Sequence, residues 1–68
     1  MDVRQLRYFL RIVELKSFSA ASKHLRIAQP ALGLQVRKLE DELGVGLLVR
    51  HARGVIPTES GLLLYEHA

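Results

Sequence analysis

The sequence predicts a mainly α-helical fold, with a three-helix core, a two-stranded β-hairpin and the start of a fourth helix. Apolar residues recur at helical steps of three and four in two long segments of the chain. A segment of small residues separates them, and two short apolar runs around a glycine turn follow Gly44. With 68 residues, the chain is one small domain whose core is near the lower size limit for independent folding.

The first helix is predicted from Val3 to Lys16. Asp2 can cap its first turn, and Gln5, three residues later, completes a capping-box pattern. Helical spacing then places four apolar residues on one face, which we expect to turn toward the core. These residues are Leu6, Phe9, Leu10 and Val13.

A short helix and a longer helix follow, with about three residues between them. Ser19 is predicted to cap the short helix, which covers residues 20–25. Pro30 suits the first turn of the longer helix because that turn does not need its missing N–H, and Gly44 ends the helix. The longer helix is therefore predicted over residues 29–43. Its apolar face consists of Leu32, Val36, Leu39 and Leu43.

A β-hairpin is predicted next, with strands at residues 47–50 and 55–56. The turn between the strands ends in Gly54, which can take a positive φ. Pro57 stops further strand pairing, and Thr58 caps a fourth helix that begins at the next residue.

This order of elements is that of a winged helix-turn-helix. Residues 1–58 are expected to form that domain, and residues 59–68 the start of a truncated linker helix for dimerisation. Apolar residues 62–65 go most of the way around the last helix, so we expect some of them to contact a partner beyond this domain. The chain is therefore interpreted as a fragment of something longer.

Composition argues against several classes of protein. The chain has no cysteine for disulfides or cysteine-bound zinc, and its apolar runs are too short for a membrane span. Its start does not resemble a signal peptide, and we expect a cytoplasmic protein. Ten Lys and Arg against seven Asp and Glu give a net charge of +3, which suits a polyanionic partner. Much of the negative charge is concentrated in residues 40–42.

An enzyme is not expected. His24, His51 and His67 lie on three separate predicted elements, and no glycine-rich phosphate loop follows a strand. A core this small does not obviously enclose a pocket. We therefore expect neither a catalytic site nor a cofactor or metal in this fragment.

The longer helix carries the residue types needed to read a DNA major groove on the face opposite its apolar stripe. Gln29 can bond an adenine edge, whereas Pro30 and Leu34 can touch a thymine methyl group. Arg37 and Lys38 can reach phosphates. The alternative interpretation of this face is a solvated side of an ordinary amphipathic helix. The full candidate set on this helix is Gln29, Pro30, Gly33, Leu34, Arg37 and Lys38.

The hairpin adds a second basic element, with Arg50, His51 and Arg53 in and around it. An arginine at the tip of a wing can enter a narrow minor groove, where the negative potential is high, and Arg53 is predicted to do so. The alternative is a polar hairpin exposed to solvent. Ser19 and Thr58 complete the predicted set of DNA-binding residues.

The chain closely resembles the N-terminal domain of LysR-type transcriptional regulators over nearly its whole length and with the same spacing. Segments 27–32 and 53–59 also resemble the branch of that family that includes the nitrogen assimilation control protein. The matching residues are Phe18-Ser19-Ala20-Ala21, Leu25, Gln29-Pro30-Ala31-Leu32, Gln35-Val36, Leu39-Glu40, Glu42-Leu43-Gly44, Leu47, Arg50, Arg53-Gly54-Val55, Thr58-Glu59 and Gly61.

The resemblance implies a bacterial protein several times longer, with a C-terminal domain that binds a small-molecule effector. It also implies a linker helix that pairs two subunits, and dimers that form tetramers on double-stranded promoter DNA. Residues 29, 30, 33 and 34 would then meet bases or nearby backbone, and Arg53 would enter the minor groove.

The chain departs from the family pattern at several positions. Gly33 stands where the family usually has serine, and Leu34 where it often has arginine or another polar residue. Ala28 replaces the usual capping serine, and Ser22 replaces an alanine at the helix crossing. The alternative function is a winged helix that docks a protein, and salt distinguishes the two, because only phosphate contacts weaken steeply as salt rises.

Overall fold

The computed structural model describes residues 1–68 and contains four helices and one two-stranded antiparallel sheet. The order confirms the predicted winged helix-turn-helix, with α2 and α3 as the two helices joined by a turn and the hairpin as the wing. None of the helices has the length and apolar character that crossing a membrane requires. The elements are α1 (Val3–Leu15), α2 (Phe18–Leu25), α3 (Gln29–Leu43), β1 (Leu48–His51), β2 (Gly54–Pro57) and α4 (Glu59–His67).

The start of α1 follows only half of the predicted capping box. The Asp2 carboxylate accepts a hydrogen bond from the backbone N–H of Arg4 at 2.8 Å. Gln5 does not reach back to Asp2, because its Nε2 donates to Gln35 Oε1 on α3 at 3.2 Å. Gln5 thus links α1 to α3. Lys16, predicted as the last helical residue, instead adopts a left-handed conformation just after the helix.

The start of α2 corrects a second prediction. Ser17, and not Ser19, caps this helix: its backbone is extended and its hydroxyl accepts from the N–H of Ala20 at 3.0 Å. The helix therefore begins two residues earlier than predicted, at Phe18. Ser19 lies within the first turn, where its carbonyl accepts from the Ser22 hydroxyl at 2.8 Å.

The core divides into two packed clusters beneath α3. Leu32 and Val36 belong to the first cluster, and Leu39 belongs to the second, so three of the four residues predicted on this face are buried. Leu43 is 40% exposed, and its assignment to the core is wrong: it is the last residue of α3 and lies outside both clusters. The other buried members are Phe9, Ile12, Ala21, Leu47 and Val55.

Both strands of the wing differ from their predicted bounds: β1 is shifted by one residue, and β2 is longer by one residue at each end, so that Gly54 and Pro57 belong to the pairing. Leu47 precedes β1 because its polar groups bond outside the sheet: the N–H to Glu40 and the carbonyl to the N–H of Thr58. The pairing then runs from Leu48 opposite Pro57 to His51 opposite Gly54. Residues 52–53 are left as a two-residue loop at the wing tip.

Candidate nucleic-acid interface

One face of α3 is exposed along the first two-thirds of the helix, opposite the buried stripe. Gln29 and Pro30 are exposed in the first turn, and Leu34 is 51% exposed in the second. Arg37 and Lys38 are exposed one turn further on. The division of α3 into a buried side and a polar, basic side is therefore the one that the sequence predicts.

The N-terminus of α3 is open to solvent and lacks a side-chain cap. Ala28, in the cap position, has an extended backbone and no side chain able to accept a hydrogen bond. The first intrahelical backbone bond runs from the Leu32 N–H to the Ala28 carbonyl at 2.9 Å. The free N–H groups of the first turn are therefore available to an external acceptor, and the positive end of the helix dipole favours an anion.

A groove runs between α3 and the base of the wing. It brings together five of the ten predicted site residues: Pro30, Gly33, Leu34, Arg37 and Arg50. Ser19, Gln29, Lys38, Arg53 and Thr58 lie outside its lining. The remaining lining residues are Phe18, Val36, Glu40 and Leu48.

Arg50 is held in place by an aromatic ring from another element. Its guanidinium carbon lies 3.8 Å from the centroid of the Phe18 ring, at the start of α2. This cation–π contact fixes the arginine across the groove from α3 and keeps its charge at the surface. The sequence points to Phe18 only through the family match, because nothing in local spacing brings residue 18 to residue 50.

Arg53 lies at the tip of the wing and is exposed. Its backbone N–H donates to His51 Nδ1 at 3.2 Å, which closes the tight turn. The turn then requires Gly54, whose φ of 137° is disfavoured for any residue with a Cβ. A Cβ at this position would also lie 2.5 Å from the Lys16 carbonyl oxygen, so the hairpin packs directly against the end of α1.

Glu40 joins α3 to the start of the wing. Its Oε2 accepts hydrogen bonds from the N–H of Leu47 at 2.7 Å and of Leu48 at 3.2 Å. Bonds to a carboxylate are stronger than neutral ones, so this side chain fixes the wing relative to the exposed face of α3. The sequence does not reveal the contact, because Glu40 stands in a run of three acidic residues.

Thr58 is placed at the junction between the wing and α4. Its hydroxyl accepts from the N–H of Gly61 at 3.0 Å and donates to the Gly46 carbonyl at 2.6 Å. Gly61 is buried, and a Cβ there would lie 2.0 Å from the Leu47 carbonyl oxygen. The predicted cap of α4 is therefore present, and the hydroxyl of Thr58 is engaged within the fold.

The basic residues of this surface have no acidic partner. The salt bridges of the molecule involve the N-terminus, Arg4 and Arg11. Four cations of the candidate interface are thus free to meet an external anion: Arg37, Lys38, Arg50 and Arg53.

Comparison with known proteins places this geometry in a family. The chain is 52% identical over its full length to the nitrogen assimilation regulatory protein nac of Klebsiella aerogenes, which confirms the predicted resemblance to that branch. It is 47% identical to the HTH-type transcriptional regulator BenM of Acinetobacter baylyi, again over all 68 residues. In both cases the chain spans 22% of the length of the curated relative.

Solved structures of DNA complexes are similar to this chain as well. The crystal structure of the BenM DNA-binding domain with benA site 1 DNA superposes with a TM-score of 0.93 at 46% identity, covering 98% of this chain and 78% of that one. The CbnR DNA-binding domain–DNA complex gives 0.93 at 40% identity, with coverages of 98% and 77%. The family described as bacterial regulatory helix-turn-helix protein, lysR family, matches residues 3–62. With its helix-turn-helix, its wing and this match over most of its length, the chain belongs to the lysR family of bacterial regulatory helix-turn-helix proteins.

Proposed function

We propose that this chain is the sequence-specific DNA-binding domain of a transcription regulator, and that α3 lies in the major groove of promoter DNA. The observation that carries the proposal is the exposed face of α3, with unpaired cations beside it and the core on its other side. A major groove accommodates one α-helix, whose N-terminal residues reach the base edges. The similarity to relatives solved as DNA complexes supports DNA binding by this domain.

The base-reading part of this surface is the N-terminal half of α3. Gln29 is exposed at the first helical position, and its amide matches the donor and acceptor of an adenine edge. Pro30, Gly33 and Leu34 carry no polar side-chain atom. Their side chains can therefore contact only apolar features of a base, or allow the base to approach the helix closely.

The phosphate-binding part surrounds this half of the helix. Arg37 and Lys38 extend from α3, and Arg50, placed on Phe18, faces Arg37 across the groove. The uncapped N-terminus of α3 and the exposed Ser19 add neutral donors. These groups would position the domain on the duplex without reading its sequence.

Arg53 is proposed to enter the minor groove beside the major groove that α3 occupies. The wing is suited to this because it is anchored at two places, at its base by Glu40 on α3 and close to its tip by the Lys16 carbonyl, which accepts from the N–H of Val55. An anchored hairpin places its tip at a fixed distance from the recognition helix. Narrow A·T tracts would then be favoured next to the half-site.

Residues 59–68 are proposed to begin a linker helix that pairs two subunits. Leu62 is 47% exposed and Leu63 is 53% exposed on α4, which suits packing against a second helix. In the full-length regulator such pairing would form dimers or tetramers on cytoplasmic promoter DNA, with an effector bound by a further domain. A dimer would read two half-sites related by its two-fold axis.

A second candidate is a winged helix that docks a protein, and one observation favours it: the exposed Leu34 on the face of α3. The test is an NMR titration of the isotope-labelled chain with duplex DNA at several salt concentrations. We expect shifts from Gln29 to Lys38 and at the wing tip, and a logarithmic salt slope of about −3.6 for roughly four neutralised phosphates. Undisturbed signals in α3, or affinity that does not respond to salt, would contradict DNA binding through this face.

A further inference from the structure

Two helices of this protein end in a backbone conformation that suits glycine, and both carry a cation there. Four residues have a positive φ: Gly44, Gly54, Lys16 and Arg26. Lys16 and Arg26 each have a φ of 58° and are the C-caps of α1 and α2. This left-handed backbone is unfavourable for a residue with a Cβ, and α3 uses glycine at the equivalent position. The two cations therefore indicate a requirement other than stability.

The helix dipole does not account for both residues. A cation near a helix C-terminus is favourable, because the free carbonyl groups there carry partial negative charge. The last turn of α2, however, already contains Lys23 and His24, so Arg26 is not needed for this purpose. Both Lys16 and Arg26 are exposed, and no salt bridge of the molecule includes either of them. Their charges are free to meet an external anion.

The two cations stand at opposite ends of α2. Lys16 directly precedes Ser17, the N-cap of this helix, and Arg26 is its C-cap. The eight residues of α2 separate them by roughly 12 Å along the helix axis. In a helix-turn-helix the first helix crosses the DNA backbone while the second lies in the major groove. A cation at each end of α2 can therefore reach phosphates on either side of that crossing.

Each cation also lies next to a part of the proposed DNA interface. The Lys16 carbonyl accepts from the N–H of Val55 at 3.3 Å, so the backbone of this residue is held against the wing. Arg26 precedes Ala28 by two residues, and Ala28 begins the uncapped start of α3, where the helix dipole favours an anion. The side chains of Lys16 and Arg26 thus extend the cations of α3 and the wing to the region around α2.

We propose that Lys16 and Arg26 bind DNA phosphates at the two ends of α2. The inference rests on the proposed DNA-binding function and adds two contacts to those of α3 and the wing. Phosphate contacts position a protein without reading sequence, so any duplex should engage them. The four cations of the candidate interface alone account for a logarithmic salt slope of about −3.6, whereas six contacts should give about −5.4.

The experiment measures the binding of the chain to a random-sequence duplex between about 50 and 200 mM salt. Lys16→Gln and Arg26→Gln each remove one charge and keep a side chain on the left-handed backbone. Each should make the slope shallower by about 0.9 and weaken binding about eightfold at 0.1 M salt. Arg7→Gln is the matched control, because Arg7 is an exposed cation within α1 that forms no salt bridge, and it should leave the slope unchanged.

Two glycine variants test the argument from the backbone. Lys16→Gly and Arg26→Gly remove the same charges and also relieve the left-handed conformation. They should lose as much DNA affinity as the glutamine variants and unfold at a Tm roughly 4–8 °C above them. Glycine variants that are no more stable than the glutamine variants would contradict the conformational cost from which the inference starts.

The outcomes separate this inference from the function on which it rests. A wild-type slope near −3.6 that neither glutamine variant changes would overturn the two phosphate contacts and leave DNA binding through α3 and the wing intact. Glutamine variants that lower the Tm without changing the slope would show that the cations only cap their helices, which would also overturn the inference. Binding of the wild-type chain that does not respond to salt would contradict both the contacts and the proposed function.

Discussion

The exposed face of α3 and the junction that holds the wing differ in how much of their chemistry is used inside the molecule. On α3, the cations lack acidic partners, the helix start lacks a side-chain cap, and Gly33 borders open space. At the junction, Glu40 and Thr58 use their polar atoms in hydrogen bonds, and Gly61 touches backbone. Substitutions on the α3 face should therefore change binding, and substitutions at the junction should change stability.

The largest effect is expected for Gly61→Ala. The new Cβ would lie 2.0 Å from the Leu47 carbonyl oxygen, so α4 or the start of β1 must shift. We expect a loss of about 4 kcal/mol in the free energy of unfolding, measured by urea denaturation. Gly33→Ala is the control, since the same added methyl group enters open space and should stabilise α3 by about 1 kcal/mol. Equal stability of the two variants would contradict this distinction.

Glu40→Ala should have the next largest effect. It removes the acceptor for the N–H groups of Leu47 and Leu48, at a cost of about 3 kcal/mol for two bonds to a charged group. Hydrogen exchange should show faster exchange at these two amides, and Glu40→Gln should lose less because it keeps an acceptor oxygen. Asp41→Ala is the control from the same acidic run, and its exposed side chain makes no hydrogen bond or salt bridge. Unchanged exchange in Glu40→Ala would mean that the carboxylate does not hold the wing.

This contrast also explains how far the sequence alone could lead. The helices and the buried side of α3 follow from local spacing, caps and turn residues, and they were predicted with small errors in their bounds. Two errors arose where the rest of the fold decided the outcome: Gln5 bonds Gln35 instead of completing a cap, and Leu43 lies beyond the core. The error at the start of α2 was local, because Ser17 and not Ser19 caps that helix. For the candidate site, the exposed face of α3 was predictable from the same periodicity. The sequence did not predict the stacking of Arg50 on Phe18 or the role of Glu40, because each depends on contacts between separate elements.

On the α3 face, Gln29→Ala should weaken DNA binding by about 2 kcal/mol and relax the preference at a single base pair. Its stability should not change, because the side chain is exposed and has no hydrogen-bond partner in the fold. Binding to a set of duplexes with single substitutions measures both effects. A loss of equal size on every duplex would mean that Gln29 positions the helix without reading a base.

Arg53→Ala is expected to have the smallest effect, and one that depends on the DNA around the half-site. The residue is exposed at the wing tip, and only its backbone N–H is bonded, so the fold should not change. Affinity should fall by less than about 1 kcal/mol on average, with the salt slope reduced by about 1. The loss should be greatest where A·T tracts flank the site, because their narrow minor grooves attract an arginine most strongly.

Lys23→Ala, which removes an exposed cation on α2 outside the proposed interface, serves as the charge-matched control. If Arg53→Ala loses the same affinity as Lys23→Ala, on A·T-rich and on G·C-rich flanks alike, then the wing contributes only general charge. The reading of sequence would then rest on α3 alone.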